Sequence, residues 1–125
     1  MLGRLRSTAE FERVKREGGY WGGRRCSINA ARQPVVMEEL GRDQQHPARI
    51  GLITSRKIGN AVKRNRARRL MRESLRQLAA VLAPEWDIVV IARPAIAATG
   101  VRMQDVRDEL QGLLTKASLL NPGLR

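Results

Sequence analysis

Ser55–Arg76 reads SRKIGNAVKRNRARRLMRESLR, and the rest of the chain is organised around it. Between Arg56 and Arg72 it holds eight Lys or Arg residues and no acidic one. A block of like charge that dense repels itself, and as a free peptide it would stay unfolded. Yet it carries the marks of a helix. Asn60, after Gly59, suits the N-cap, its side-chain oxygen accepting from a free backbone N–H one turn on. No Gly or Pro interrupts Ala61 to Ala83, and Pro84 supplies the stop. At about 100° per residue, Arg64, Arg68, Arg72 and Arg76 fall together, with Asn65 and Arg69 beside them. Ala67, Leu70, Met71, Leu75, Leu78, Val81 and Leu82 gather mostly toward the other side. The second half is therefore a core-facing helix and the first half is polar almost all round. Cations at a helix N-terminus oppose the macrodipole by roughly a few tenths of a kcal/mol each. A solvated basic face would explain a pair of arginines; this density points to a polyanionic partner.

Strands flank this helix. Ala48–Ser55 alternates, with Ile50 and Leu52 on one face and Gly51 and Ile53 on the other. Trp86–Ala92 (WDIVVIA) is a continuous β-branched run, as expected of a central strand covered on both faces. Upstream, Ser7-Thr8-Ala9-Glu10 is a capping-box pattern opening a short helix, Thr8 to Glu17, stopped by Gly18-Gly19. Its large apolar residues are Phe11 and Val14, and Arg13, Lys15 and Arg16 give it positive charge. Arg24 to Arg32 alternates as a half-exposed strand, with Cys26, Ile28 and Ala30 inward and Arg25, Ser27 and Asn29 outward. Val35-Val36-Met37 offers a short extension, and Glu38 to Pro47 has loop composition. Val101 to Leu120 spaces Val106, Leu110, Leu113, Leu114 and Ala117 as an amphipathic helix, with Asp105, Asp108 and Glu109 toward water. Asn121-Pro122-Gly123 ends it, and the tail, 121–125, is expected to fray. The expectation is one mixed α/β domain over 1–125, a two-layer sandwich of order α-β-β(-β)-α-β-α with its helices on one face of a small sheet.

Composition narrows the partner. The chain of 125 residues has 24 basic against 12 acidic residues, a net charge of +12, which favours nucleic acid. The single cysteine, Cys26, supports no disulfide framework or zinc cluster. No run approaches a membrane span or a secretory signal, so a cytoplasmic protein without membrane contact is expected. His46 has no partner of catalytic spacing. A metal-dependent nuclease would need carboxylates converging on magnesium, whereas Glu38, Glu39, Asp87, Asp105, Asp108 and Glu109 are scattered along the chain. A ribosomal or chaperone-type RNA-binding protein would share the charge.

From Lys57-Ile58-Gly59-Asn60-Ala61-Val62-Lys63-Arg64-Asn65-Arg66 through Arg68-Arg69 to Arg72, the chain resembles the protein component of bacterial ribonuclease P, whose RNR motif would be Arg64-Asn65-Arg66. Arg4-Leu5-Arg6 before a helix bearing Phe11, the strand ending in Ser55, the WDIVVIARP strand and a closing helix follow the same order, so the resemblance covers about Arg4 to Leu120. It implies a subunit without catalytic residues of its own. The ribonuclease P RNA, with magnesium ions, would cleave precursor tRNA at its 5′ end. The protein, binding no cofactor alone, would bind that RNA and the substrate's 5′ leader. By resemblance Lys57, Asn60, Lys63, Arg64, Asn65, Arg66, Arg68, Arg69 and Arg72 would meet the catalytic RNA. Phe11, Lys15, Asn29 and Arg93 would belong to a leader-binding cleft between the first helix and the sheet. The family's strand–helix–strand crossover is left-handed, so the same is implied here. Aromatic residues usual in the family are replaced by Lys15 and Asn29, which leaves Tyr20 and Trp21 either as compensating stackers or as structural anchors. The residues decide neither for nor against self-association.

Overall fold

The run WDIVVIA becomes β5 (Trp86–Ala92), the middle strand of a five-stranded mixed sheet. Ile88, Val89 and Val90 are all buried, and a strand buried on both faces needs cover above and below. The computed structural model describes residues 2–34 and 46–120. β4 (Arg49–Ile53) runs parallel to β5 on one side, and β3 (Cys26–Arg32) antiparallel on the other. β1 (Gly3–Arg4) and β2 (Gly19–Gly22) form the edges, giving the order β1-β4-β5-β3-β2. The helices are α1 (Thr8–Glu17), α2 (Ala61–Leu78) and α3 (Met103–Lys116), with short 3₁₀ turns at Arg56–Ile58, Ala79–Val81 and Pro94–Ala97.

Alternation along the strands sorts the core into two clusters. Ile28, Ile50, Ile88 and Val90 point to the face covered by α2, through Ala67, Met71, Leu75 and Leu78, and by α3, through Val106, Leu110 and Leu114. On the opposite face Ala31 and Val89 meet Leu5 and Val14, with Phe11, Ile53 and Ile91 at the margin. The mixed α/β class is as expected, but the two-layer arrangement with helices on one face is corrected: α1 takes the other face, and there are three layers. The half-exposed reading of β3 changes with it. Ser27 and Asn29 are buried, and Asn29 Nδ2 donates to the Gly19 carbonyl oxygen (3.3 Å).

Several boundaries shift for local reasons. β3 begins at Cys26 rather than Arg24, because the Gly23 N–H donates to the Cys26 carbonyl and closes a turn there (2.9 Å). α2 stops at Leu78 and tightens into 3₁₀ form before Pro84. The possible extension at Val35–Met37, most of the Glu38–Pro47 loop and the tail at 121–125 lie outside the described residues.

A buried carboxylate fastens α1 to the sheet. Asp87 is 0% exposed and sits beside Arg49 in the β4–β5 register and opposite Ala31 of β3. Arg49 grips it with two N–H donors, Nε to Oδ1 (2.8 Å) and Nη2 to Oδ2 (2.7 Å). Arg13 reaches down from α1 to the same Oδ2, and its Nη1 donates to the Arg32 carbonyl oxygen (3.2 Å). The other end of Arg49 meets Glu10 of α1 (3.2 Å). Hydrogen bonding to Asp87 is the main cause that raises the pKa of Arg49, so it stays charged. Arg13 is therefore a clamp rather than surface decoration. Glu109, expected to face water, does similar work between α3 and β3: its carboxylate accepts from the backbone N–H groups of Arg25 (2.7 Å) and Cys26 (2.9 Å) and pairs with the Arg25 guanidinium (3.1 Å). Burial, then that carboxylate, pushes the Cys26 thiol pKa upward and makes it inert. Asp105 likewise turns back, accepting from the Arg102 N–H at the start of α3 (2.9 Å).

Both halves of the capping box at Ser7 form: Glu10 N–H donates to Ser7 Oγ (3.2 Å) and the Glu10 carboxylate accepts from Ser7 N–H (3.1 Å). Backbone donation from Arg6, then Ser7, lowers the pKa of Glu10 below the ordinary glutamate range.

Asp87→Asn leaves two guanidinium groups without their shared anion. Losing one partner of a buried pair costs about 3–5 kcal/mol, and the low end, about 3 kcal/mol, is expected because the Arg49 side chain keeps 32% of its surface in water. Urea unfolding measures this, and a loss under 1 kcal/mol would show the clamp to be dispensable. For Glu10 the shift is downward, so its contribution is present above the unfolded glutamate pKa of about 4.3 and fades as pH falls through the lower folded value. The stability gap between the wild type and Glu10→Gln should therefore be constant at neutral pH and close on acidification; a gap that widens toward low pH would contradict it.

Candidate nucleic-acid interface

The approach to α2 is a tight, locally determined turn. Ser55 Oγ accepts from the Lys57 N–H (3.3 Å), and Ile58 is buried in the main core beneath the 3₁₀ turn. Gly59 then adopts φ 138°, ψ −154°, a region that only glycine occupies readily. The Lys63 side chain also lies across it, close enough that a Cβ would meet Lys63 Cδ at 2.7 Å. Asn60 caps the helix as expected, Oδ1 accepting from the Lys63 N–H (3.0 Å), which leaves its amide nitrogen to donate elsewhere.

With Ala67, Met71, Leu75 and Leu78 buried, the basic residues of α2 take the remaining surface. Lys57, Lys63, Asn65, Arg66, Arg69 and Arg72 are exposed, and Arg64 and Arg68 are half-buried. The structure divides them. Arg68, Arg72 and Arg76 run along the flank beside β1 and β4, where they border a common groove. Arg64, at the start of the helix, folds back so that Nη1 donates to the Gly59 carbonyl oxygen (2.9 Å). Arg66 is not part of this row; it crosses the opposite flank and donates to the Val101 carbonyl oxygen before α3. Arg68 Nη2 donates to Thr54 Oγ1 (2.6 Å). Each of these three guanidinium groups uses one hydrogen bond to set its direction and keeps other donors for a ligand. Val62, 76% exposed at the head of the helix, adds an apolar contact point that charge counting passed over.

A second surface lies on the α1 face of the sheet. The Phe11 ring rests directly on β4, so close that a Cβ at Gly51 would come within 2.4 Å of its Cε1. Lys15 is exposed on α1. Asn29 is only 7% exposed and already bonded to Gly19, and Arg93, exposed after β5, donates to the Gly23 carbonyl oxygen (3.1 Å). The two aromatics of β2 separate. Trp21 packs against the main core on the α3 side, a structural anchor. Tyr20 is paired in register with Asn29, so it shares the α1 face, and it is 58% exposed. Period-two alternation within GYWG was the signal that could have split them. Among the described residues no three His, Cys, Asp or Glu side chains are grouped as metal ligands would be, and no helix is long and apolar enough to cross a membrane.

A family model described as Ribonuclease P matches residues 2–118. The ribonuclease P protein component of an Exiguobacterium species is 40% identical over 116 residues, covering 93% of this chain and 90% of the relative. That of Roseiflexus castenholzii is 35% identical over 118 residues, covering 94% and 87%. Among solved structures, the Staphylococcus aureus RNase P protein superposes with a TM-score of 0.76 at 25% identity, over 97% of this chain and all of the other. The RNase P protein from Thermotoga maritima gives 0.74 at 27% identity, over 90% and 96%.

Proposed function

Because the chain belongs to the ribonuclease P protein family, we propose that its two surfaces divide the work of that subunit: α2 grips the catalytic RNA and the α1 face of the sheet holds the substrate's leader. As a member of the family it is the protein subunit of ribonuclease P and assists 5′ maturation of tRNA, with the ribonuclease P RNA and precursor tRNA as partners. The observation that carries the division is placement: the guanidinium row of α2 and the exposed ring of Tyr20 lie on opposite faces of one sheet. In this reading Arg64, Arg68 and Arg72, with Lys57, Asn60, Lys63, Asn65, Arg66 and Arg69 around them, meet phosphates and sugars of folded RNA. The leader is a single strand, and a sheet-borne aromatic beside cations suits one. Tyr20 supplies the platform, Phe11 the inner wall, and Lys15 and Arg93 the charge. Asn29, buried against Gly19, acts by holding β2 in place and not by reaching the leader. The cytoplasm is the compartment this reading assigns.

Replacing Arg64, Arg68 and Arg72 by Ala should weaken binding to the RNA subunit and flatten its salt dependence, by about 0.7–0.9 in logarithmic slope for each phosphate no longer neutralised. An unchanged slope would exclude these side chains as phosphate ligands. For the leader, Tyr20→Ala should lower holoenzyme affinity for precursor tRNA by about 5- to 150-fold, corresponding to ~1–3 kcal/mol per stacked base, and spare mature tRNA. Phe11→Ala should do the same at some cost in stability. Equal losses on precursor and mature tRNA would remove both rings from the leader's path.

A further inference from the structure

Between β1 and α2 the surface opens into a groove of about 640 Å³. Its floor is apolar, with Ile50 and Leu52 of β4, Leu75 of α2 and Leu2, and at its α1 end it is closed by Leu5 and the Phe11 ring. Its rim is cationic: Arg4 and Arg6 stand on one side, and Arg68, Arg72 and Arg76 on the other. Among the described residues no carboxylate lines it. Arg76 is paired with Glu73, but the side chains of Arg4, Arg6 and Arg72 make no ion pair among the described residues. Guanidinium groups facing each other across an apolar trough repel, and no anion among the described residues relieves these three. The ligand that complements such a trough is flat and apolar in its middle and anionic at both ends. A nucleotide within a strand has that form, a base between two phosphates, and the volume falls in the roughly 300–1,000 Å³ range of small-ligand sites.

We propose that this groove receives an unpaired nucleotide of the ribonuclease P RNA, its base over Leu52 and Leu75 and its flanking phosphates held by Arg4 and Arg6 on one side and by Arg68 and Arg72 on the other. The RNA subunit is the source because Arg68 and Arg72 belong to the α2 row that docks on it, so a strand lying along that row reaches the groove directly. The Tyr20 ring is on the other face of the sheet from Leu52, and only Phe11, at the α1 end of the groove, is shared with the surface assigned to the leader. The inference rests on the assignment of α2 to the RNA subunit, and it adds a site where bulk as well as charge is read.

Filling the groove without touching an arginine tests it. Leu52→Trp adds bulk from the floor. Ala79→Phe adds it from the wall, at a position whose helical backbone (φ −56°, ψ −40°) accepts any side chain. Each variant is checked by thermal melting, and Ala79→Phe decides alone if Leu52→Trp fails to fold. Affinity for the RNA subunit is measured across a salt series, with dimethyl sulfate footprinting of that RNA. The expected result is about ten-fold weaker binding with the wild-type salt slope, and loss of protection at one unpaired nucleotide. Wild-type affinity in a folded variant overturns the groove site. It leaves the arginine row standing, because that reading fails only if the arginine variants also bind normally. A defect confined to precursor tRNA carrying a leader, with RNA-subunit affinity intact, gives the groove to the substrate and equally overturns the proposal.

Discussion

The apolar seam of α2 is the constraint on which the rest depends. Ala67, Met71, Leu75 and Leu78 are all buried against the sheet and α3, and burying a large aliphatic side chain contributes about 1.5–3 kcal/mol. The basic amino half works against the helix, at roughly a few tenths of a kcal/mol for each cation near the N-terminus. The seam wins by several-fold, so a segment that would be unfolded by itself becomes a helix of 18 residues. Because the seam occupies one side, the guanidinium groups have nowhere to go but outward and along the two flanks. Tie-backs to Gly59, Val101 and Thr54 then set the directions of Arg64, Arg66 and Arg68. A rigid donor array loses less freedom on binding than a flexible one, so more of its interaction energy remains as affinity.

The sheet also keeps two surfaces apart. α2 and α3 cover one face, α1 part of the other, and the short edge strands β1 and β2 extend the sheet on both sides. Asp87 matters here because it joins three elements through one carboxylate: its own strand, Arg49 of β4 and Arg13 of α1. A short helix with two large apolar residues buries too little to dock by hydrophobic contact alone. The ionic clamp and the Phe11 ring on Gly51 supply the remainder, and they fix how far α1 stands from the open end of the sheet.

What could be read from the sequence was whatever is encoded within a few residues. The Ser7–Glu10 capping box, the Asn60 cap and the β-branched run of β5 are local signals, and each formed where its pattern placed it. β1 is two residues long and β2 is four residues framed by glycines, too short for alternation to announce a strand although it sorts Tyr20 from Trp21 once the strand is known; both exist because β4 and β3 offer edges to pair with. The position of α1 was hidden for the same reason, since two apolar residues three apart say that a helix docks but not on which face. Charge was the most misleading signal. Arg13, Asp87 and Glu109 look like surface residues until register brings Arg49 beside Asp87 and α3 against the start of β3. The arginine row was legible as a row, and helical spacing already set Arg66 apart from it, while the bond from Arg66 to Val101 and the groove beside Arg4 depend on elements far away in the chain.

The central claim is that the guanidinium surface is built before any RNA arrives. Amide hydrogen exchange on the free protein tests it most directly. The account predicts that the N–H groups of Arg66 to Leu78 in α2 are protected nearly as strongly as those of β5, and that adding the RNA subunit slows them little further. Rapid exchange through that half of the helix in the free protein, with protection appearing only on RNA binding, would contradict it.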